Sequence, residues 1–284
     1  MNDLEKQIID LYESGLGSTT ISRQLNITAG KVHYTLNKYN IKKRDNKTKG
    51  RKYTHDYDYF EVIDTEEKAY WLGFIYADGY VTSSKQHPNS VGIALSEEDY
   101  MHLEKFKNNI NATNPICVYN QTSGYSNDSI YCRILLTSEK TKQDLINKGV
   151  VEHKTNIVIF PTEEQVPKHL IHHFIRGYFD GDGCLSYTNT QTNKNYYKAK
   201  ILGTDDFLNG INNLLIENNI TNIKHYYKRK PDQVVSSMEL NETQSLNLLN
   251  WLYQDATIYL DRKYNRYCSL CEKHHVEPNG NIGC

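Results

Sequence analysis

Two aspartates occupy the same place in two similar segments of this 284-residue chain. Residues 70–81 read YWLGFIYADGYV and residues 174–185 read FIRGYFDGDGCL, so that Asp78 and Asp182 each end an apolar run and precede a glycine. A single Asp-Gly pair after an apolar helix is commonly only a turn, in which glycine takes the left-handed cap position. Two copies in matching segments indicate a shared chemical role instead.

Small residues before the two aspartates indicate how the carboxylates could meet. Gly73 and Ala77 are four residues apart, as are Gly177 and Gly181. This spacing places each pair on one face of a helix, where small side chains allow two helix backbones to approach closely. Packed together, the two helices would bring both carboxylates to the negative ends of two helix dipoles, where a cation is needed. The pattern therefore predicts two or more Mg²⁺ ions and hydrolysis of phosphodiesters by a metal-activated water.

The elements that follow each motif also repeat. Alternating and helical apolar patterns predict the order helix, strand, strand, helix, strand, strand, helix in both halves, across most of residues 60–260. In the first half the predicted strands are residues 80–84, 90–96, 116–120 and 130–137, with helices at 97–110 and 138–149. In the second half the predicted strands are residues 184–188, 196–203, 223–229 and 234–240, with helices at 204–219 and 241–253. The predicted fold class is α+β, a duplicated αββαββα unit.

The first 44 residues contain three helical patterns and predict a small all-α helix-turn-helix domain. Ile8 recurs at helical spacing with its apolar neighbours Leu4 and Leu11, Gly15 is a predicted stop, Asn26 a predicted turn, and Ser18 and Thr28 are predicted N-caps. The third helix, with Val32 and Leu36 inward, would lie in a major groove of DNA. Its predicted DNA-binding residues are Lys31, His33, Tyr34 and Lys38. A small helical bundle that binds protein is the alternative.

A basic stretch follows the third helix. From Ala29 to Tyr53 nine lysines and arginines stand against one acidic residue, Asp45, on a chain whose net charge is −1. Such a stretch is either a solvated linker or an extension that contacts phosphates, and its place after a helix-turn-helix favours the second. The predicted phosphate contacts are Lys42, Lys43 and Arg44, and residues 45–57 are predicted to be a basic linker.

The segments WLGFIYADG at 71–79 and IRGYFDGDG at 175–183 resemble the two signature motifs of single-chain LAGLIDADG homing endonucleases. The resemblance implies a pseudosymmetric protein, with repeats at 58–160 and 161–267 whose two antiparallel sheets form a saddle on DNA. The segment IYLDRKYNRY at 258–267 is similar to the end of phage and bacterial members. Cleavage of both DNA strands across the minor groove, leaving short 3′ overhangs, is the implied activity.

The resemblance also implies roles for individual residues. Asp78 and Asp182 would bind the metals, and the residues before them, Ala77 and Gly181, would offer backbone carbonyls. Lys200 and Lys263 are the candidates to stand near the scissile phosphates. The implied DNA contacts on the second sheet are Lys198, Lys228 and Arg229. The first acid of the signature is present only in the second motif, as Asp180, because Tyr76 replaces it in the first; we expect a solvent-facing or capping role for Asp180.

The tail at 268–284 contains a second candidate metal site. A tetrahedral zinc site could be formed by Cys268, Cys271, His274 and Cys284, with His275 as an alternative to His274. The spacing fits no common zinc finger, so a flexible tail is the preferred interpretation.

Composition excludes several other classes. No apolar run approaches the length of a membrane span, and the mean hydropathy is −0.69. Six scattered cysteines without a secretory leader predict a reducing cytoplasm, in a bacterial or phage-infected cell. The predicted protein is a monomer with internal pseudo-twofold symmetry whose partner is double-stranded DNA. The alternative functions are an RNA maturase, whose partner would be intron RNA, and a transcription regulator on the same scaffold.

Overall fold

The computed structural model describes residues 1–14, 16–41, 52–82, 89–120, 129–152, 157–189, 195–221, 227–228 (backbone only) and 235–280. The chain divides into two compact units, Met1–Tyr53 and Thr54–Cys284. Each unit has its own cluster of buried apolar side chains. Residues 54–57 were predicted to be linker and belong to the second unit, because the Thr54 amide donates to Thr113 Oγ1 at 2.8 Å and buried His55 contacts Thr141.

The described residues of the first unit form three helices: α1 (Asp3–Glu13), α2 (Ser18–Gln24) and α3 (Ala29–Lys38). Ile8, Ile21, Val32 and Leu36 are almost fully buried between them. The Asn2 side chain and Glu5 cap each other's backbone N–H groups at the start of α1.

The structure tests the boundary predictions for this unit. Thr28 caps α3 as predicted, and Asn26 takes the left-handed conformation with φ of 49° at the turn between α2 and α3. The prediction for Ser18 was wrong: Gly17 is the N-cap of α2 and Ser18 is its first helical residue. Gly15, the predicted stop, lies outside the described residues.

The second unit contains two copies of the same sheet topology. The first copy runs α4 (Glu66–Ala77), β1 (Gly79–Thr82), β2 (Ser90–Ser96), α5 (Tyr100–Asn109), β3 (Cys117–Asn120), β4 (Ile130–Thr137) and α6 (Glu139–Asn147). The second copy runs α7 (Ile171–Asp182), β5 (Gly183–Thr188), β6 (Tyr196–Gly203), α8 (Asp205–Glu217), β7 (Tyr227–Lys228), β8 (Ser236–Leu240) and α9 (Glu242–Leu252). The strand orders, β1-β2-β4-β3 and β5-β6-β8-β7, match, and the pairings are antiparallel. The predicted α+β class and the duplicated αββαββα order are confirmed.

Each sheet has one covered and one open face. Along β4 the side chains of Cys132, Ile134 and Leu136 are buried, whereas Tyr131 and Arg133 at the alternating positions are partly exposed. This alternation follows from the two-residue period of a strand. The open faces are therefore available for a partner.

An unpredicted helix, α10 (Asp261–His274), follows α9. The prediction of a flexible tail from residue 268 was wrong for the described part, because Leu270 and Cys271 are fully buried beside Tyr267. Asn279 continues the attachment: its amide donates to the Tyr267 hydroxyl, and its carbonyl accepts from Tyr264. Tyr264, Tyr267, Leu270 and Cys271 lie at helical spacing, which is the signal that could have predicted α10.

Helix α4 has no polar face. All its residues from Ala69 to Ala77 are buried, as expected of a helix that lies inside a protein. In the part of the chain that the structure describes, no helix is long and apolar enough to cross a membrane.

Candidate active site and nucleic-acid interface

Helices α4 and α7 touch backbone to backbone through their glycines. A Cβ atom placed on Gly73 would lie 1.9 Å from the Phe174 carbonyl oxygen, and one placed on Gly177 would lie 1.9 Å from the Tyr70 carbonyl oxygen. Tyr70 and Phe174 are 104 positions apart, and so are Gly73 and Gly177. The same interval separates Asp78 from Asp182. The contact is therefore pseudo-twofold symmetric, and only glycine fits at either position.

This contact brings the two motif ends together. Asp78 is the C-cap of α4 and is exposed, and Asp182 is the half-buried last residue of α7. A Cβ atom on Gly181 would lie 2.3 Å from the Ala77 Cβ and 3.2 Å from Asp78 Oδ2. The Asp78 carboxylate thus lies against the backbone of the other motif, one residue from Asp182.

The pKa of Tyr178 reflects the negative charge at the ends of the two helices. Its hydroxyl donates to the Leu202 carbonyl at 2.9 Å. Burial raises the pKa of Tyr178, and the carboxylates of Asp182 and then Asp78 raise it further. A cavity of about 320 Å³ opens beside Asp182, with Tyr178 and Leu202 in its wall.

The donor set fits a hard divalent cation. Two carboxylates and the backbone carbonyls before them offer only oxygen atoms, which is what Mg²⁺ prefers, and Mg²⁺ commonly takes one or two carboxylates together with water and phosphate oxygens. Within the described ranges, no group of three or more His, Cys, Asp or Glu side chains could hold a metal ion by itself. A divalent cation held there would take its remaining ligands from water or phosphate oxygens.

Lys263, one candidate for the scissile phosphates, is buried against the end of α7. Its Nζ donates to the carbonyls of Phe179, Asp180 and Gly183 at 2.6 Å each and to that of Gly181 at 3.3 Å. Burial lowers the pKa of Lys263 to about 8, against the opposing charges of Asp180 and Asp78. The charged form therefore still predominates at neutral pH.

Asp180 lies in the interior. We expected a solvent-facing or capping role, but this carboxyl is 1% exposed. Its Oδ2 accepts from the Tyr70 hydroxyl at 2.7 Å and from the Leu260 amide at 2.8 Å. Burial raises its pKa, and Lys263 opposes this shift. Asp180 faces the packing between α7 and the segment before α10, where water cannot solvate it.

Arg176 was not singled out from the sequence, and its side chain is fully buried in the same helix. Its guanidinium donates to the carbonyls of Ile258 and Leu252 at 3.0 and 2.8 Å and to Glu66 Oε1 at 2.5 Å. Glu66 begins α4, so this ion pair joins the two repeats. An arginine inside an otherwise apolar motif is the sequence signal for such a buried pair.

On the second sheet, Lys198 and Lys200 lie on the open face of β6. They share one carboxylate on β8: Lys198 Nζ is 2.5 Å from Glu239 Oε2, and Lys200 Nζ is 3.9 Å from Glu239 Oε1. Both lysines remain about 40% exposed and can exchange this partner for phosphate. The side chain of Lys228 and all of Arg229 lie outside the described residues.

The open face of the first sheet has a different chemistry. Tyr119 and Tyr131 are directly paired across β3 and β4 and stack with ring centroids 6.2 Å apart, and the Arg133 guanidinium lies 5.6 Å from the Tyr119 ring centre. Arg133 was missed from the sequence, although the alternation in IYCRILLT assigns it to the face opposite Cys132 and Ile134. Arginine on an open strand face is suited to guanine or phosphate.

The first unit exposes all four described residues that were predicted to contact DNA. Lys31, His33 and Tyr34 are exposed on α3, with Lys31 Nζ 5.7 Å from the Tyr34 ring centre. Lys38 is exposed too, and it pairs with Glu5 at 2.8 Å, which holds α3 to α1. The remaining predicted contacts, Lys42, Lys43 and Arg44, lie outside the described residues.

The described residues do not assemble the zinc site. Cys268, Cys271 and His274 all fall on α10, where Cys271 is buried and burial raises the pKa of its thiol. His274 Nε2 lies 2.9 Å from Glu242 Oε1. Cys284 lies outside the described part of the chain.

Comparison with known proteins gives similarity in structure only. No protein-family model and no curated protein matches the chain. The fold is similar to that of meganuclease I-SmaMI bound to uncleavable DNA, at 10% identity, with 74% of this chain and 89% of that chain covered and a TM-score of 0.47.

Two other solved structures show a similar degree of likeness. The homing endonuclease I-WcaI bound to its DNA recognition sequence has 14% identity, 69% and 84% coverage and a TM-score of 0.49. The LAGLIDADG meganuclease I-AabMI bound to uncleaved DNA has 13% identity, 72% and 90% coverage and a TM-score of 0.43. I-SmaMI and I-AabMI are named as members of the family that the two motifs resemble.

Proposed function

We propose that this chain is a site-specific homing endonuclease that hydrolyses both strands of a long duplex DNA site with Mg²⁺ and leaves short 3′ overhangs. The observation that supports this proposal most directly is the meeting of Asp78 and the Gly181–Asp182 backbone at the ends of two glycine-packed helices. A protein that only binds nucleic acid gains nothing from carboxylates placed beside phosphates.

The residues of this site have distinct tasks. The carboxylates of Asp78 and Asp182 would hold the metal ions, together with the carbonyl oxygens of Ala77 and Gly181. Bound Mg²⁺ supplies a water of lowered pKa and a positive charge for the phosphate oxygens. The open face of each sheet would hold the duplex, with Lys198 and Lys200 on phosphates of one half-site.

The first unit would extend the recognition site. Lys31, His33 and Tyr34 are exposed on one helix and present a cation, an imidazole and a phenol to DNA. Joining a weak DNA-binding unit to the endonuclease raises the effective concentration of each for the same molecule. Deleting residues 1–50 should therefore weaken binding and reduce its salt dependence more than it slows the chemical step.

The test is cleavage of a randomised duplex library with Mg²⁺, with Ca²⁺ in parallel, followed by sequencing of the ends. We expect defined ends with short 3′ overhangs in Mg²⁺ only, and at least a 100-fold loss of double-strand breaks in Asp78→Asn and Asp182→Asn with little change in binding. Asp206→Asn, at an exposed acid of α8, is the control. Wild-type cutting by either site variant would refute the assignment, and tight binding of DNA or RNA without cutting would favour the regulator or maturase.

A further inference from the structure

Two cross-strand pairs follow the motif aspartates, and they differ between the repeats. Tyr80 of β1 pairs directly with Gly92 of β2, whereas Cys184 of β5 pairs directly with Lys200 of β6. Tyr80 is partly exposed and the residue after it, Val81, is buried, so the first pair lies on the open face of its sheet. Each pair holds the first open-face position after an aspartate, and the two pairs therefore correspond to each other.

The Tyr80 ring lies across Gly92. A Cβ atom placed on Gly92 would lie 2.3 Å from Tyr80 Cζ, 2.4 Å from its hydroxyl oxygen and 2.8 Å from its Cε1. Any side chain at position 92 would therefore push the ring off the strand, and the glycine is what allows the phenol to lie there. In the second sheet the corresponding strand position carries the side chain of Lys200.

The next strand of each sheet extends this difference. Leu135 of β4 is the cross-strand partner of Gly92, and Glu239 of β8 is the partner of Lys200. Lys200 Nζ lies 3.9 Å from Glu239 Oε1, so the second sheet presents a cation with a carboxylate beside it. The first sheet presents a phenol with an apolar neighbour. One row is therefore charged and the other is not, although both begin two residues after a motif aspartate.

A phenol and an ammonium group would hold phosphate in different ways. Both donate hydrogen bonds to phosphate oxygens, but only a cation releases condensed counterions when it binds DNA. A contact by Tyr80 would therefore add affinity without adding to the salt dependence of binding, whereas a contact by Lys200 would add to both.

We propose that Tyr80 contacts DNA in the first half-site, where its hydroxyl donates to a phosphate oxygen, as the counterpart of Lys200 in the second half-site. Gly92 is the positioning residue for this contact, because it leaves room for the ring on the strand. This inference rests on the proposed endonuclease function. It implies that the phosphate contact after Asp78 is neutral and that the one after Asp182 is cationic.

The first experiment measures equilibrium binding in Ca²⁺, at several salt concentrations, to a duplex that is selected by binding. Tyr80→Phe should weaken binding by about two- to tenfold at each concentration, the effect of one lost hydrogen bond, with an unchanged slope of log K against log salt. Tyr100→Phe is the matched control, because its hydroxyl lies on α5, on the covered side of the same sheet, and donates to Glu104. Unchanged affinity in Tyr80→Phe, or a changed salt slope, would overturn the proposal.

Gly92→Ala separates the position of the phenol from its presence. This variant keeps the hydroxyl but places a methyl group where the ring lies, and we expect a loss of affinity similar to that of Tyr80→Phe. Combined with Tyr80→Phe, Gly92→Ala should have little further effect, because the contact is already lost. If the two losses multiply in the double variant, Gly92 does not act through Tyr80.

Exchanging the pair gives the first sheet the residues of the second. In the double variant Tyr80→Cys with Gly92→Lys, removing the ring makes room for the lysine. We expect a cooperative thermal transition and a slope of log K against log salt that is steeper by about 0.9, the value of one added phosphate contact. An unchanged slope in the folded variant would overturn the proposal. Tyr80→Phe, which removes a single oxygen atom, tests the proposal even if the exchanged variant does not fold.

The last experiment follows each strand separately on a plasmid that carries the selected site. Tyr80→Phe should slow cutting of one strand at least about threefold more than the other, and Lys200→Met should slow the opposite strand more, with nicked plasmid accumulating in both. Slowing of the same strand by both variants would overturn their assignment to separate half-sites. A wild-type protein that cuts neither strand would refute the proposed function, while the binding result would still decide whether Tyr80 contacts DNA.

Discussion

The two motif helices, α4 and α7, are alike where they touch and unlike around that contact. Both place a glycine against the partner's carbonyl and both end in aspartate. Leu72 and Tyr76 of α4 correspond to Arg176 and Asp180 of α7, which are buried and bonded to the C-terminal part of the chain. A pseudo-twofold axis demands identity only where the two copies meet each other or act together. Elsewhere each helix adapts to its own surroundings.

The largest expected effect is that of Arg176→Leu, which gives α7 the leucine that α4 has at the corresponding position, Leu72. Removing one partner of a buried ion pair costs about 3–5 kcal/mol, because the other partner is left without compensation. Glu66 is 14% exposed and would lose its charged neighbour. We expect a loss of that size in the free energy of unfolding, measured by urea denaturation of the second unit.

A double variant separates the ion pair from packing. Adding Glu66→Gln to Arg176→Leu should recover part of the lost stability, since no charge is then left unpaired. If the loss in the double variant equals the sum of the losses in the two single variants, Arg176 and Glu66 do not act as a pair.

The symmetric part of the comparison predicts equal effects. Gly73→Ala and Gly177→Ala should each lower the free energy of unfolding by about 3 kcal/mol, at the upper end of the usual cost of overpacking, because each new methyl group meets backbone oxygen at 1.9 Å. Urea denaturation of both variants measures this.

The control is Gly30→Ala, where the nearest atom to a new Cβ is 3.8 Å away and alanine favours the helix. Clearly unequal losses at Gly73 and Gly177 would mean that the two helices do not meet symmetrically.

Acid should destabilise the second unit through histidines from both repeats. Burial lowers the pKa of His102 to about 3, of His172 to about 4 and of His173 to about 3, with the charge of Arg176 acting on the last two. Unfolded histidine takes up a proton near pH 6.5, so the unfolded state binds more protons below that pH. Stability is therefore expected to be unaffected by these groups above about pH 6.5 and to fall as the pH drops toward 4.

The measurement is the urea midpoint as a function of pH. His102→Phe should reduce the slope between about pH 6.5 and 4. A slope that His102→Phe does not alter would contradict the assignment.

The smallest expected effect concerns the lysines on the open face of the second sheet. If Lys200 contacts a phosphate as proposed, Lys200→Met should change the slope of log K against log salt by about 0.9. Glu239→Gln should raise DNA affinity, because it releases Lys198 and Lys200 from their shared carboxylate. Equilibrium binding at several salt concentrations measures both effects, and an unchanged slope in Lys200→Met would place that lysine away from the duplex.

The sequence alone was sufficient for the repeated part of this protein. Glycine spacing and the two aspartates predicted the packing of α4 on α7 and the meeting of their ends, because a helix places residues four apart on one face whatever surrounds it. Alternation along the strands and helical periodicity likewise predicted the element order of both repeats. These patterns are local, and each of them occurs twice because the unit is duplicated.

The tertiary structure decided what is not repeated. The position of Asp180 in the interior, the bonds of Lys263 to four carbonyls and the sharing of Glu239 by two lysines each depend on residues about 40 to 80 positions apart. The sequence shows that such groups are charged, but not which partners compensate them. Burial and pairing of a charge are properties of the packed chain, because they depend on which distant segments exclude water from it.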